Sequence, residues 1–90
     1  MTKSDLVDSV AAKAGMTKKD SARAVDVVFD TIKEQLKTGD KVQLVGFGSF
    51  EVKQREARVG RNPKTMEEIR IPARRVPVFR PGKELKESVM

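Results

Sequence analysis

Residues 53–75 limit the possible folds more than any other part of the chain, because they carry too few apolar side chains to join a core. Lys53, Arg55, Arg58, Arg61 and Lys64 recur every two or three residues with only Glu56 opposing them, and Arg70, Arg74 and Arg75 follow on the return. Gly60-Arg61-Asn62-Pro63 supplies turn-forming residues near the middle, so the segment reads as a β-hairpin arm that projects and meets something anionic. Setting the arm aside leaves roughly 70 residues for a core, and a chain of this size buries only a little over ~60% of the surface its unfolded form exposes. Four Phe and no Trp or Tyr make a marginal monomer, so a homodimer is expected.

The charge is unevenly placed. Residues 1–40 hold seven Lys/Arg against seven Asp/Glu, whereas residues 41–90 hold twelve against six, so the whole net charge of +6 lies in the second half. One half scaffolds and the other binds. A pI near 9.9 with that asymmetry favours nucleic acid, although acidic lipid headgroups also attract such a surface. A charged fraction of 36% is high, but 38% hydrophobic residues with clear periodicity argue for a folded domain.

No Cys and no His are present, which removes thiolate nucleophiles, disulfides, the usual zinc ligands and the commonest acid–base partners. No enzyme, metal site, cofactor or small-molecule substrate is expected. Gly46-x-Gly48 is no phosphate loop, since residue 51 is Glu and no Gly-Lys-Ser/Thr follows. No apolar run approaches the ~18 residues of a membrane span, and Met-Thr-Lys-Ser-Asp lacks a signal-peptide core, so the expected location is cytoplasmic with no membrane partner.

Thr2-Lys3-Ser4-Asp5 has the form of a capping box, and Leu6, Val7, Val10, Ala11 and Ala14 mark a helical stripe that Gly15 can end, giving a helix over about residues 3–14. Thr17-Lys18-Lys19-Asp20 repeats the signal, and Ala22, Val25, Val28, Phe29, Ile32 and Leu36 trace a long face as far as Gly39-Asp40. The two form a helical hairpin. A helix-turn-helix DNA reader shares that outline, but the second helix mixes Asp20, Asp26, Asp30 and Glu34 with its cations, whereas a base-reading helix is plainly basic.

Beyond Gly39 the period changes to two. Lys41–Val45 and Ser49–Lys53 read as antiparallel strands around a Gly46-Phe47-Gly48 turn, and Glu68–Pro72 leads into Val76–Arg80. Pro72 and Pro77 lack a ladder donor and belong on an edge, at a bend or at a bulge. Pro81-Gly82 breaks the strand, and Lys83–Val89 forms a short helix with Leu85 and Val89 turned inward. The expectation is one α+β domain: a helical base over 1–40, a three-stranded antiparallel sheet over 41–80 with the long arm at 53–75, and a C-terminal helix over 81–90.

The helical hairpin, Val45-Gly46-Phe47-Gly48-Ser49-Phe50, Gly60-Arg61-Asn62-Pro63, Ile71-Pro72-Ala73 and Phe79-Arg80-Pro81-Gly82-Lys83 together resemble the HU/integration-host-factor family of bacterial histone-like proteins, across essentially the whole chain. The resemblance implies an intertwined dimer whose helices form a base topped by sheets. Two arms then reach around duplex DNA in the minor groove, bending it and compacting the nucleoid. The residues suit that role, since a ribbon carrying Arg can track a groove and Pro63 at its tip can act as a rigid apolar wedge. Arg and Lys bound to phosphate give affinity without sequence information, so double-stranded DNA is the expected partner, especially bent, nicked or distorted duplex.

Arg58, Arg61, Asn62 and Lys64 surround Pro63 as candidate groove and phosphate contacts, with Lys53, Arg55, Arg70, Arg74 and Arg75 along the arm and at its base. Arg80, Lys83 and Lys86 suit an adjoining saddle, and Lys3 is implied lower on the body. Phe29, Phe47, Phe50 and Phe79 read as core and dimer packing in preference to base-stacking platforms. Relatives commonly have Gly where this chain has Met66, so a tip that needs a positive φ there costs on the order of 1 kcal/mol with Met; two alternatives stay open, a wider turn and a second apolar contact of Met66 with the bases. Two rivals stay open: a sequence-biased relative resembling integration host factor, and a dimerisation module whose arm binds acidic proteins or RNA.

Overall fold

In the computed structural model, which describes residues 1–90, Thr2 caps the first helix through a complete capping box. Its backbone N–H donates to Asp5 Oδ2 at 2.9 Å and its Oγ1 accepts from the Asp5 N–H at 3.4 Å. Helix α1 (Lys3–Ala14) ends where Gly15 takes a left-handed φ of 66°, a conformation that costs glycine nothing. Helix α2 (Lys18–Lys37) begins with Thr17 Oγ1 accepting from the Asp20 N–H at 3.1 Å.

The chain groups into two compact units, Met1–Gln35 and Leu36–Met90. In the first, α1 and α2 meet where Ser21 of α2 reaches the Val7 backbone of α1. Ser21 is fully buried and its hydroxyl donates to the Val7 carbonyl at 2.7 Å, so the close approach leaves no orphan polar group. Ion pairs between Lys3 and Asp26 and between Lys18 and Asp8 run along the same antiparallel pair. Ala11 and Val25 are the only buried apolar side chains in the chain. Val28 remains 55% and Phe29 45% exposed, beside an open apolar groove of about 260 Å³ lined also by Leu6, Val10 and Ala24.

In the second unit, β1 (Val42–Leu44), β2 (Gly48–Arg55) and β5 (Arg74–Pro81) form an antiparallel sheet in the order β1-β2-β5. The β1–β2 turn runs Leu44–Phe47, closed by Phe47 N–H to the Leu44 carbonyl at 3.0 Å, with Gly46 at φ 85° where a type II turn needs it. Gly48 is therefore the first strand residue and no part of the turn. Phe79 packs between Phe47 and Phe50, ring centroids 5.5 and 4.8 Å away. Helix α3 (Lys83–Ser88) is shorter than expected, and Val89, beyond its end, is 78% exposed instead of inward.

The remaining strands, β3 (Arg58–Arg61) and β4 (Glu68–Ile71), pair as a separate ribbon. Both ribbons share one register: Arg55 faces Arg74, and after two residues without strand structure on each side, Glu56-Ala57 and Pro72-Ala73, Arg58 faces Ile71. Pro72 has no N–H for the ladder, which accounts for the break without a bulge. Pro77 is accommodated because β5 is an edge strand.

Candidate nucleic-acid interface

Directly opposed residues of an antiparallel pair share a face, so the register sorts the arm cations. At the root of the ribbon, Lys53, Arg55, Arg74 and Val76 lie on one face, with Arg55 directly opposite Arg74. Like charges so placed repel, and neither has an ion-pair partner in the protein. Gln54 and Arg75 occupy the opposite face.

Arg75, expected to touch the anion at the base of the arm, donates from Nη1 to the Lys37 carbonyl and from Nη2 to the Leu36 carbonyl, each at 3.3 Å. Those carbonyls end α2 and carry its negative dipole charge, so the guanidinium caps the helix and anchors the ribbon root.

In the outer ribbon, Val59, Arg61, Glu68 and Arg70 share one face, and Arg58, Gly60, Ile69 and Ile71 the other. Arg58 and Arg61 thus point to opposite sides. No ion pair engages Lys53, Arg55, Arg58, Arg61, Lys64, Arg70 or Arg74, and all seven are exposed.

Four residues, Pro63 to Met66, make the reversal. Asn62 N–H donates to the Glu67 carbonyl at 2.9 Å and Met66 N–H to the Asn62 carbonyl at 2.7 Å. Asn62 Oδ1 also accepts from Lys64 N–H at 2.9 Å, and Thr65 Oγ1 from Glu67 N–H at 3.3 Å. Asn62 therefore builds the loop as well as standing beside Pro63, and Thr65 is a tip residue that the sequence reading left out. Its signal was the Ser/Thr habit of bonding a backbone N–H two residues on. Pro63 suits the first loop position because its fixed φ favours a turn and it has no N–H to satisfy; its ring is exposed. Met66 sits at φ 62°, the chain's one non-glycine residue at positive φ. That conformation costs about 1 kcal/mol for a side-chain-bearing residue.

The cations of the body are placed differently. Arg80 Nε lies 2.7 Å from Glu51 Oε1, a buried oxygen with no other polar partner. Lys83 Nζ is 4.0 Å from Glu87, one turn on, while Lys86 has no ion pair. Lys3 is held by Asp26, whose hydrogen bond and then charge raise the ammonium's pKa above its ordinary value. Of the four Phe, Phe47, Phe50 and Phe79 come together, and Phe29 lies in the other unit. No cluster of three His, Cys, Asp or Glu is placed to hold a metal, and no helix is long and apolar enough to cross a membrane.

The family model described as "Bacterial DNA-binding protein" matches residues 1–90. The chain is 58% identical over 89 residues to DNA-binding protein HU of Geobacillus stearothermophilus, covering 99% of each. It is 60% identical over 89 residues to DNA-binding protein HU-1 of Halalkalibacterium halodurans, again covering 99% of each. Among solved structures it is similar to the Anabaena HU–DNA cocrystal structure, with a TM-score of 0.90 and 54% identity over 99% of this chain and 97% of that one. HU from Thermotoga maritima matches with a TM-score of 0.73 and 43% identity over the whole of both chains.

Proposed function

The chain belongs to the bacterial DNA-binding protein family, and from that premise we propose that it is a histone-like architectural protein, not an enzyme, that binds and bends double-stranded DNA with little sequence preference. Its 90 residues act as one DNA-binding domain, paired with a second copy. Pairing follows from how little one chain hides: Phe29, Phe47 and Phe79 are 45%, 47% and 38% exposed, an apolar surface that water disfavours and a twin chain covers.

The observation that carries the reading is the set of seven exposed, unpaired arm cations leading to an exposed proline. A cation that meets a phosphate displaces the counter-ions condensed on the DNA there, so the ribbon root grips through Lys53, Arg55 and Arg74, and the outer ribbon through Arg58, Arg61, Lys64 and Arg70 on its two sides. The repulsion between Arg55 and Arg74 is relieved when a phosphate sits over them. Pro63 enters a base step, and Asn62 both shapes the loop and lies within reach of the groove. Because phosphates look alike in every sequence, these contacts position the protein without reading bases. Arg75 acts as an anchor for the ribbon root. Arg80, Lys83 and Lys86 form the saddle and Lys3 a lower contact, and Arg80, Lys83 and Lys3 share their charge with Glu51, Glu87 and Asp26, which weakens their pull on a phosphate. The place of action is the nucleoid, in the cytoplasm, on bent, nicked or otherwise distorted duplex, where part of the bending cost has already been met.

The test separates grip from wedge. With about eight of the dimer's fourteen arm cations on phosphates at once, log affinity for a random duplex falls with log salt at a slope of about −7. Pro63→Ala leaves that slope in place and lowers the bend angle, measured by energy transfer between the duplex ends. An affinity indifferent to salt overturns the electrostatic grip, and an unchanged bend overturns the wedge.

A further inference from the structure

We propose that Met66 is a second apolar element of the arm tip, its thioether entering the base step beside Pro63; the inference rests on the proposed function above. Met66 holds φ at 62° and is 62% exposed. Most of its side chain is open to solvent. Its N–H bond to the Asn62 carbonyl is a backbone bond that glycine makes equally well, and glycine takes that φ without strain. A strained residue whose side chain is left in water points to a partner outside the chain.

Position and chemistry identify that partner as a nucleobase. Pro63 and Met66 are the first and last residues of the reversal, three apart across a tight turn, so the two apolar groups bracket Lys64 and Thr65 at the extreme end of the ribbon. Arg61 lies just behind them, so phosphate and base contacts are made by different atoms. An unbranched, polarizable thioether lies well against an aromatic face and adapts to any of the four bases, which suits a contact that must ignore sequence. The residue thereby enlarges the apolar surface each arm delivers to the opened step.

Three variants test this on the full-length protein: Met66→Gly, Met66→Leu and Met66→Gln. Binding to a random intact duplex is followed by anisotropy across a salt series, bending by end-to-end energy transfer, and folding by thermal melting. Met66→Gly is expected to melt at or above the parent temperature, because strain is removed, yet to bind at least about fivefold more weakly and bend less, at an unchanged salt slope. Met66→Leu, still apolar, keeps binding and bending near the parent values. Met66→Gln, similar in length but polar, follows the glycine variant. A glycine variant that binds and bends like the parent, or a leucine variant no better than the glutamine one, overturns the role of Met66 while leaving the proposed function intact. A parent that does not bend duplex DNA at all overturns both.

Discussion

Changing Arg74 to alanine removes a cation that stands opposite Arg55 with no internal counter-ion, whereas changing Arg75 to alanine removes a donor already committed to the Leu36 and Lys37 carbonyls. In a dimer each change occurs twice. Loss of two phosphate contacts makes the salt slope shallower by about 1.8, so between about 50 and 200 mM salt the parent loses about twelvefold more affinity than Arg74→Ala. Arg75→Ala keeps the parent slope. It loses instead a helix-terminal cation worth about 0.5–1 kcal/mol per protomer, which lowers the melting temperature by several degrees, at roughly 4–8 °C per kcal/mol for a domain of this size. Anisotropy titrations of a short random duplex at several salt concentrations give the slopes, and circular-dichroism melts at one fixed protein concentration give the stabilities. Parallel slopes for Arg74→Ala and the parent refute the assignment. So does a shallower slope for Arg75→Ala with no loss of melting temperature.

Gly48→Ala places a methyl group 2.6 Å from the Arg80 carbonyl oxygen and 2.7 Å from Phe79 Cζ, and that carbonyl belongs to a paired strand that cannot yield cheaply. Overpacking of this kind costs about 1–3 kcal/mol. Gly15→Ala meets nothing within 4 Å and pays only for its φ of 66°, about 1 kcal/mol; urea unfolding that ranks Gly15→Ala as the more damaging change would contradict the packing described. The Asp5 carboxyl is held below its ordinary pKa, first by the Thr2 backbone N–H and then by the Thr2 hydroxyl. A depressed carboxylate stabilises the fold above its unfolded value of about 3.9 and ceases to do so as pH falls through its lower folded value. Asp5→Asn should therefore flatten the acid side of the helical signal, and acid limbs parallel to the parent's count against the capping box.

The helices were legible because their signals are local. Thr2 with Asp5, and Gly15, name the bounds of α1 without any knowledge of neighbours, and Thr17 does the same for the start of α2. The arm was legible for a different reason: residues 53–75 have nowhere to be buried. The division of labour among the cations was not. Whether Arg75 reaches a helix end, or Arg80 meets Glu51, depends on which face of the ribbon each occupies, and a charge count carries no register. Arg80 and Glu51 meet because Glu51 pairs with Val78, two residues away on the same face, a relation that exists only once the strands are aligned. Pro72 and Pro77 show the same limit. Both were expected at an edge, bend or bulge, yet only the sheet order tells that Pro77 lies within an edge strand while Pro72 breaks the ribbon.

A polypeptide that conceals just Ala11 and Val25 among its apolar side chains has little reason to stay folded in solitude. Folding and association then become a single equilibrium, and the melting temperature depends on how much protein is in the tube. For such a molecule dilution acts as a denaturant. The number of copies a cell maintains then decides how much DNA they cover and also whether the arms exist at all.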